Sequence, residues 1–298
     1  NFDPNDFSSI GNIEIFKNPA VQVTYEPGSV FKPLTMASAI DAEAVSPDST
    51  YIDEGIVRIG GRKVLNYDER VWGERSMTQV LEYSINTGSV YVEQQLGHSR
   101  FLEYIDRFGI FKPTNIDVAG EVYSENKEFK KGYEINFATA AFGQGIEMTP
   151  IQLVRAFSAL ANKGRMTTPY LTEQKNREIE LSEQIISPKT ASQVTNMLVS
   201  VTENGFAKSA RVPGYYIAGK TGTAQISWSA LGIPRSGYSD RSIQSFIGYA
   251  PAFEPRFILL VKLNDPQTKT AEYSAVPVFQ KLAKYILDYY EITPDYEL

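Results

Sequence analysis

The sequence predicts a mixed α+β domain, and three observations carry that expectation. Helical spacing of apolar residues dominates to about position 204, alternating strand-like runs follow it, and a last amphipathic segment closes the chain. At about 150 residues per domain, 298 residues allow one large or two smaller units, and 42% hydrophobic residues are ample for a core. No internal repeat or low-complexity tract interrupts the chain, and Gly and Pro are spread as turn punctuation, so one continuous domain over residues 1–298 is expected.

Taken in order, the turn Glu26-Pro27-Gly28 is followed by Leu34, Ala37 and Ile40 or Ala44 at helical spacing, which predicts a helix from Ser29 to Ala44. Pro33 falls at the edge of its first turn, so a tightened or kinked start is expected. Ile56 to Ile59 and Lys63 to Leu65 flank Gly60-Gly61 and read as a surface hairpin. Ser76 with Gln79 forms a capping box for a short helix to about Tyr83, and a second helix runs from near Thr87 to Leu96, closed by Gly97. Ser84-Ile85-Asn86 falls in the break between them.

Ser99 to Phe108 reads as a helix ending at Gly109, and Thr149-Pro150 with Gln152 opens an amphipathic one through Val154, Phe157 and Leu160 to Gly164. Ser187-Pro188 opens another to about Asn204, with Gly205 as its stop. Tyr215 to Ala218 leading into Lys220 to Thr223, then Ile243 to Ala250 and Arg256 to Leu263, read as strands. Short turns between them imply an antiparallel sheet, with helices from both ends of the chain packed on it. The final helix, about Val276 to Tyr290, is expected to bury Phe279, Leu282 and Ile286, with Tyr285, Tyr289 and Tyr290 along its packed seam.

Composition restricts the chemistry. With no Cys there is no disulfide, thiol nucleophile or thiolate metal site, and with one His a multi-histidine centre is impossible. A general base must come from His98, Lys, Asp, Glu or Tyr, which favours a serine–lysine pair over a histidine triad. The net charge of −6 argues against nucleic acid as a partner. The longest apolar runs, such as Phe257 to Val261, fall far short of the ~18–20 residues of a membrane span. His98 reads as a surface or capping residue, and Glu125 to Lys131 as a solvated loop.

Ser29-Val30-Phe31-Lys32 sets a hydroxyl and an amine three residues apart, on one face of a helical turn and at the positive end of its dipole. Ser124-Glu125-Asn126-Lys127 has the same spacing in a charged stretch without an apolar face, so spacing alone does not choose between them. Order favours the first copy. Ser84 and Asn86 follow with a second hydroxyl and an amide, and Lys220-Thr221-Gly222-Thr223 supplies a cation and two hydroxyls on a strand, where Gly222 leaves room for a ligand beside the backbone.

Ser-x-x-Lys, Ser-x-Asn and Lys-Thr-Gly in this order form the pattern of penicillin-recognising serine enzymes. Tyr25 to Pro33, Ala141-Phe142-Gly143-Gln144-Gly145 with Thr149-Pro150, Gly219 to Gln225, and Phe246 to Pro251 resemble the transpeptidase domain of class B penicillin-binding proteins. The resemblance runs over nearly the whole chain. It implies an antiparallel five-stranded sheet flanked by helices, with a membrane anchor, a pedestal domain and the opening strand of the sheet lying before the segment that resembles Phe2 to Asn5. Ser-Ile-Asn stands where Ser-Asp-Asn is also found, keeping both functional side chains.

The implied activity is D,D-transpeptidation of peptidoglycan stem peptides through a serine acyl-enzyme, inhibited covalently by β-lactams, with no metal or organic cofactor. The implied catalytic residues are Ser29 as nucleophile, Lys32 as its base, Ser84 as proton relay, Asn86 on the donor amide, and Lys220. With Thr221, Gly222 and Thr223, Lys220 would receive the substrate carboxylate. The backbone N–H groups of Ser29 and Thr223 would form the oxyanion hole. Implied partners are lipid-linked glycan strands, a glycosyltransferase and other cell-wall synthesis proteins, at the outer face of the bacterial cytoplasmic membrane. A serine β-lactamase or a β-lactam sensor shares the three motifs. A class A β-lactamase would carry a Glu-x-x-Leu-Asn segment, which does not occur between Asn86 and Lys220.

Overall fold

Capping signals and apolar spacing place most elements where the sequence puts them in this computed structural model, which describes residues 3, 5, 11–172 and 181–297. A one-turn helix α1 (Pro19–Gln22) is capped by Asn18, and a 3-10 turn, Gly28–Phe31, runs directly into α2 (Lys32–Asp41). The tight turn is the strained start that Pro33 announces. Ser29 sits in it rather than in the α-helix, which stops at Asp41 short of Ala44.

Four short strands follow: β1 (Thr50–Asp53), β2 (Ile56–Ile59), β3 (Arg62–Leu65) and β4 (Gly73–Ser76). β2 and β3 form the expected Gly60-Gly61 hairpin, and β1 pairs with β4 around it. Ser76 closes its capping box on α3 (Met77–Glu82), and α4 (Asn86–Leu96) starts after the Ser84-Ile85 break. Next come α5 (His98–Arg107), the short α6 (Lys127–Lys130), α7 (Glu134–Ala140) and α8 (Pro150–Ala161), the last opened by the Thr149–Gln152 box. The small pair β5 (Arg165–Thr167) and β6 (Leu181–Gln184) precedes α9 (Pro188–Glu203).

The sheet is β7 (Ala218–Ser227), β8 (Tyr238–Ala250) and β9 (Phe257–Asn264), antiparallel in that order, with Lys220 opposite Ile247 and Ile247 opposite Leu260. Helices flank it as expected; among the described residues it has three strands, with β9 paired only to β8, of a sheet whose opening strand the resemblance sets before the segment like Phe2 to Asn5. The chain's long alternating segments number three. The four N-terminal strands are four residues each and satisfy one another in ribbons. Tyr215 lies outside β7, bridged to Val212.

The helix α10 (Ala275–Tyr289) packs on this sheet along Val276, Phe279, Ala283 and Leu287. Leu282, Tyr285, Tyr289 and Tyr290 are exposed, and Ile286 is only half-buried, which corrects the predicted face. The cause is close approach. Phe279 meets Phe246 edge-on at 4.5 Å between centroids, and a Cβ on Gly248 would lie 3.1 Å from its ring, so the row through small Ala283 faces the sheet. One core cluster joins both halves through Phe31, Leu34, Val80, Phe157, Leu198, Phe246, Tyr249 and Phe279.

Polar pins supplement that core. Asp41, at the end of α2, accepts from the Tyr104 hydroxyl at 2.8 Å, the Ser187 N–H at 2.6 Å and the Thr190 hydroxyl at 3.0 Å, tying α2 to α5 and to the start of α9. Substituting Asp41→Ala strands these donors and is expected to cost roughly 2–3 kcal/mol in denaturant unfolding. A change below a few tenths would show that the pin is redundant.

Candidate active site

The Ser29 turn is held from two sides. Gly28 has φ +63°, a left-handed conformation that glycine supplies, and a Cβ there would lie 2.7 Å from Cβ of Ala224 on β7. Its N–H donates to the Gly143 carbonyl at 2.9 Å, so the Ala141–Gly145 turn presses on the other side. The Thr35 hydroxyl donates to the Ala141 carbonyl at 2.9 Å, fastening α2 to the same turn. Gly222 faces the Ser29 turn as well, because a Cβ on it would sit 2.9 Å from Val30 Cγ1 and 3.2 Å from the Pro27 carbonyl. β7 therefore lies against the segment that carries Ser29, at a separation only glycines permit.

Lys32 opens α2 and points inward, 1% exposed. Its Nζ donates to the Ser84 carbonyl at 2.5 Å and to Asn86 Oδ1 at 2.8 Å, and lies 3.3 Å from Ser84 Oγ. Ser84 adopts φ +55°, unusual for a residue with a side chain, which turns the α3–α4 junction so that its carbonyl and hydroxyl both face the amine. Asn86 is fixed further by donating from Nδ2 to the Leu65 carbonyl at 3.0 Å.

Lys220 is fully buried on β7, with Nζ 3.2 Å from the Thr221 carbonyl and 3.3 Å from Thr221 Oγ1. Thr223 Oγ1 accepts from the Ala271 N–H at 3.2 Å, which orients that hydroxyl. Burial brings the Lys220 ammonium down to about 7. Burial, and then the positive charge of Lys220, hold Lys32 well below the ordinary lysine range. The Glu26 carboxyl, in the turn before Gly28, is pushed up to about 7 by burial, although the Tyr238 hydroxyl donates to it at 2.9 Å.

The three sequence-predicted groups thus meet: Ser29 with Lys32 on one turn, Ser84 and Asn86 on the Lys32 amine, and Lys220 to Thr223 on the strand against them. The other serine–lysine spacing is not part of this site. Lys127 points to solvent and pairs with Glu125 at 3.1 Å, and Ser124 Oγ accepts the Asn126 N–H at 3.2 Å. His98 is also elsewhere, stacked on Phe137 with Nδ1 2.6 Å from Glu93 Oε1. Asn66, whose side chain accepts the N–H groups of Asn86 and Thr87, gives no sequence signal, because it stands twenty residues from the motif it touches. No group of three or more metal-ligating side chains occurs among the described residues.

A serine three residues before an amine that burial disfavours as a cation, a second hydroxyl and an amide on that amine, and a second buried lysine whose charge acts on it form an arrangement suited to acyl transfer. The chain as a whole is similar to known proteins. Residues 1–284 match the penicillin binding protein transpeptidase domain. The chain is 33% identical to stage V sporulation protein D of Bacillus subtilis over 89% of this chain and 42% of that protein. It is 30% identical to peptidoglycan D,D-transpeptidase FtsI of Escherichia coli K12 over 99% of this chain and 49% of that one. It spans about half the length of such relatives. Among solved structures, penicillin binding protein 3 of Mycobacterium tuberculosis complexed with aztreonam superposes with a TM-score of 0.82 at 27% identity, covering 94% of this chain and 66% of that one.

The buried lysines bear on stability as well as chemistry. A folded-state pKa near 7 for Lys220, against an ordinary value of 10.5, means the fold opposes the charged form. That cost is present at neutral pH and fades as pH rises toward the unfolded value. Lys220→Met, of similar length and uncharged, is expected to raise stability at pH 7 by about 1–3 kcal/mol in denaturant melts. A destabilised Lys220→Met would show that the amine is better accommodated than its burial implies.

Proposed function

The chain belongs to the penicillin binding protein transpeptidase domain family, and on that premise we propose that it is a serine D,D-transpeptidase that cross-links peptidoglycan stem peptides ending in D-alanyl-D-alanine. The observation that carries this reading is the Lys32 amine. It is out of water, repelled by Lys220, and bonded to both functional residues of the Ser84–Asn86 motif.

In this mechanism Ser29 Oγ attacks the carbonyl of the penultimate D-alanine while Lys32 takes its proton, which requires the neutral amine that burial favours. The tetrahedral oxyanion lies between the backbone N–H groups of Ser29 and Thr223. Collapse breaks the C–N bond, and Ser84 relays the proton from Lys32 to the departing D-alanine nitrogen. Asn86 bonds the donor amide. The substrate carboxylate is received by Lys220 with the hydroxyls of Thr221 and Thr223, and Gly222 lets it approach the strand. An acceptor amine on a lipid-linked glycan strand then attacks the Ser29 ester, giving up a proton to Lys32, which passes it to the Ser29 oxygen as the C–O bond breaks, restoring the free serine and the neutral amine. A lipid-linked acceptor supports the reading that the enzyme works at the outer face of the bacterial cytoplasmic membrane, beside a glycosyltransferase that extends the glycan.

β-Lactams present the same carbonyl and carboxylate. The Mycobacterium tuberculosis relative has been solved with aztreonam and with ampicillin. Penicillin is therefore expected to add once, on Ser29, and to remain for hours, because the leaving nitrogen stays tethered and obstructs the acceptor's approach. Peptide mapping, intact mass over time, and coupling of a D-alanyl-D-alanine donor to an amine test the proposal. Label on Ser84 or Ser124, or undiminished labelling of Ser29→Ala, would overturn the site. Rapid return to the free mass with consumption of drug would indicate a β-lactamase, and a stable adduct without amine coupling a sensor.

A further inference from the structure

We propose that Asn66 is a positioning residue for this acyl-transfer site: anchored on the buried Asp53 carboxylate, it caps α4 from outside the helix and thereby fixes Asn86 and the Lys32 amine that Asn86 holds. The proposal rests on the functional reading above for its readout, but its evidence is separate.

A helix leaves its first N–H groups without intrahelical partners, and a capping side chain normally takes them. α4 begins at Asn86, and the residue before it, Ile85, has no side chain that can cap. The acceptor comes from another element. Asn66 Oδ1, just past the end of β3, accepts the N–H of Asn86 at 2.9 Å and of Thr87 at 3.1 Å, and lies 3.1 Å from the Thr87 hydroxyl. The residue before it, Leu65, accepts from Asn86 Nδ2 at 3.0 Å. Two consecutive positions thus grip the first residue of α4 by backbone and by side chain. Its remaining polar atom, Oδ1, faces Lys32.

The Asn66 amide has one workable orientation. Its Nδ2 donates to Asp53 Oδ1 at 3.1 Å, to Asp53 Oδ2 at 2.9 Å and to the Arg70 carbonyl at 3.0 Å, so a flip would set oxygen against oxygen on that side and donor against donor on the other. Asp53 also accepts from the N–H of Gly55 at 3.1 Å, the N–H of Trp72 at 2.8 Å and the Thr87 hydroxyl at 2.5 Å. Asp53, Asn66 and Thr87 are 1%, 5% and 2% exposed, and in so dry a place each bond is costly to leave unmade. Around the cluster stand Tyr51, whose hydroxyl is 3.4 Å from Thr87 Oγ1, Arg75, whose charge acts on Tyr51, and Lys32 beyond Asn86.

A purely structural cluster would change stability and leave the chemistry of the folded protein alone, whereas a positioning residue changes the chemical step itself. The limiting rate of Ser29 acylation at saturating penicillin separates the two, measured below the melting temperature of each variant. Asn66→Ala is expected to lower that rate by about ten- to a hundredfold, the scale of an ångström-sized misplacement. Asp41→Asn, which loosens another carboxylate hub, one that accepts from Tyr104, Ser187 and Thr190 outside the site, is expected to lower the melting temperature while the rate stays within about twofold.

Asn66→Asp keeps the acceptor toward α4 and loses the donor toward Asp53, setting two carboxylates side by side unless a proton bridges them. Its rate relative to the parent is therefore expected to climb as pH falls from about 8 to about 5.5. A folded Asn66→Ala that acylates within about twofold of the parent overturns the proposal. If that variant does not fold, an Asn66→Asp ratio that is flat with pH overturns it. A parent that penicillin leaves unmodified would instead overturn the functional reading, so the two failures are distinguishable.

Discussion

Keeping two amines, Lys32 and Lys220, out of water in one site is the constraint on which the rest of the structure depends. Neither amine has a carboxylate among its hydrogen-bonding partners, which are carbonyls, hydroxyls and one amide. Such partners satisfy the N–H groups without stabilising the charge as an ion pair would, so burial disfavours the charged form of both amines and the Lys220 charge adds to this at Lys32. The proposed chemistry needs that shift at Lys32, and the fold bears its cost.

The surrounding elements serve this condition by close packing. β7 reaches the Ser29 turn only because Gly28 and Gly222 offer no side chain between them, and Gly143 allows the turn beneath to approach Gly28 from the other side. α2 is inaccessible from Lys32 to Ile40, which leaves the first residue of the helix nowhere to move. The α3–α4 junction must then bring its acceptors to the amine, which it does through the left-handed Ser84 and the clamped Asn86. Strain at Ser84 and desolvation at the lysines are local costs that the shared core of helices and sheet offsets.

Much of this was legible in the sequence because it is written in local patterns. Ser29 with Lys32, Ser84 with Asn86, and Lys220 to Thr223 are short spacings, and the boxes at Ser76 and Thr149 place helix starts to the residue. What stayed illegible depends on contacts between distant segments. Asn66 resembles any polar residue after a strand, and only the fold reveals that it caps α4. The face of α10 was misjudged because apolar Leu282 fits the periodicity as well as Ala283, and the tight fit at Gly248 favours the smaller residue. A resemblance carries a sheet's expected size, whereas this chain's own alternating segments supply three strands of it.

Before any substrate arrives, the fold shifts Lys32 toward its neutral amine. An NMR titration of isotopically labelled lysine side chains, assigned with Lys32→Arg and Lys220→Met variants, measures it directly. Lys32 is expected to titrate with its midpoint well below the ordinary 10.5, and the midpoint to shift upward in Lys220→Met, where the repelling charge is gone. A Lys32 that titrates near 10.5 and ignores the loss of Lys220 would contradict it.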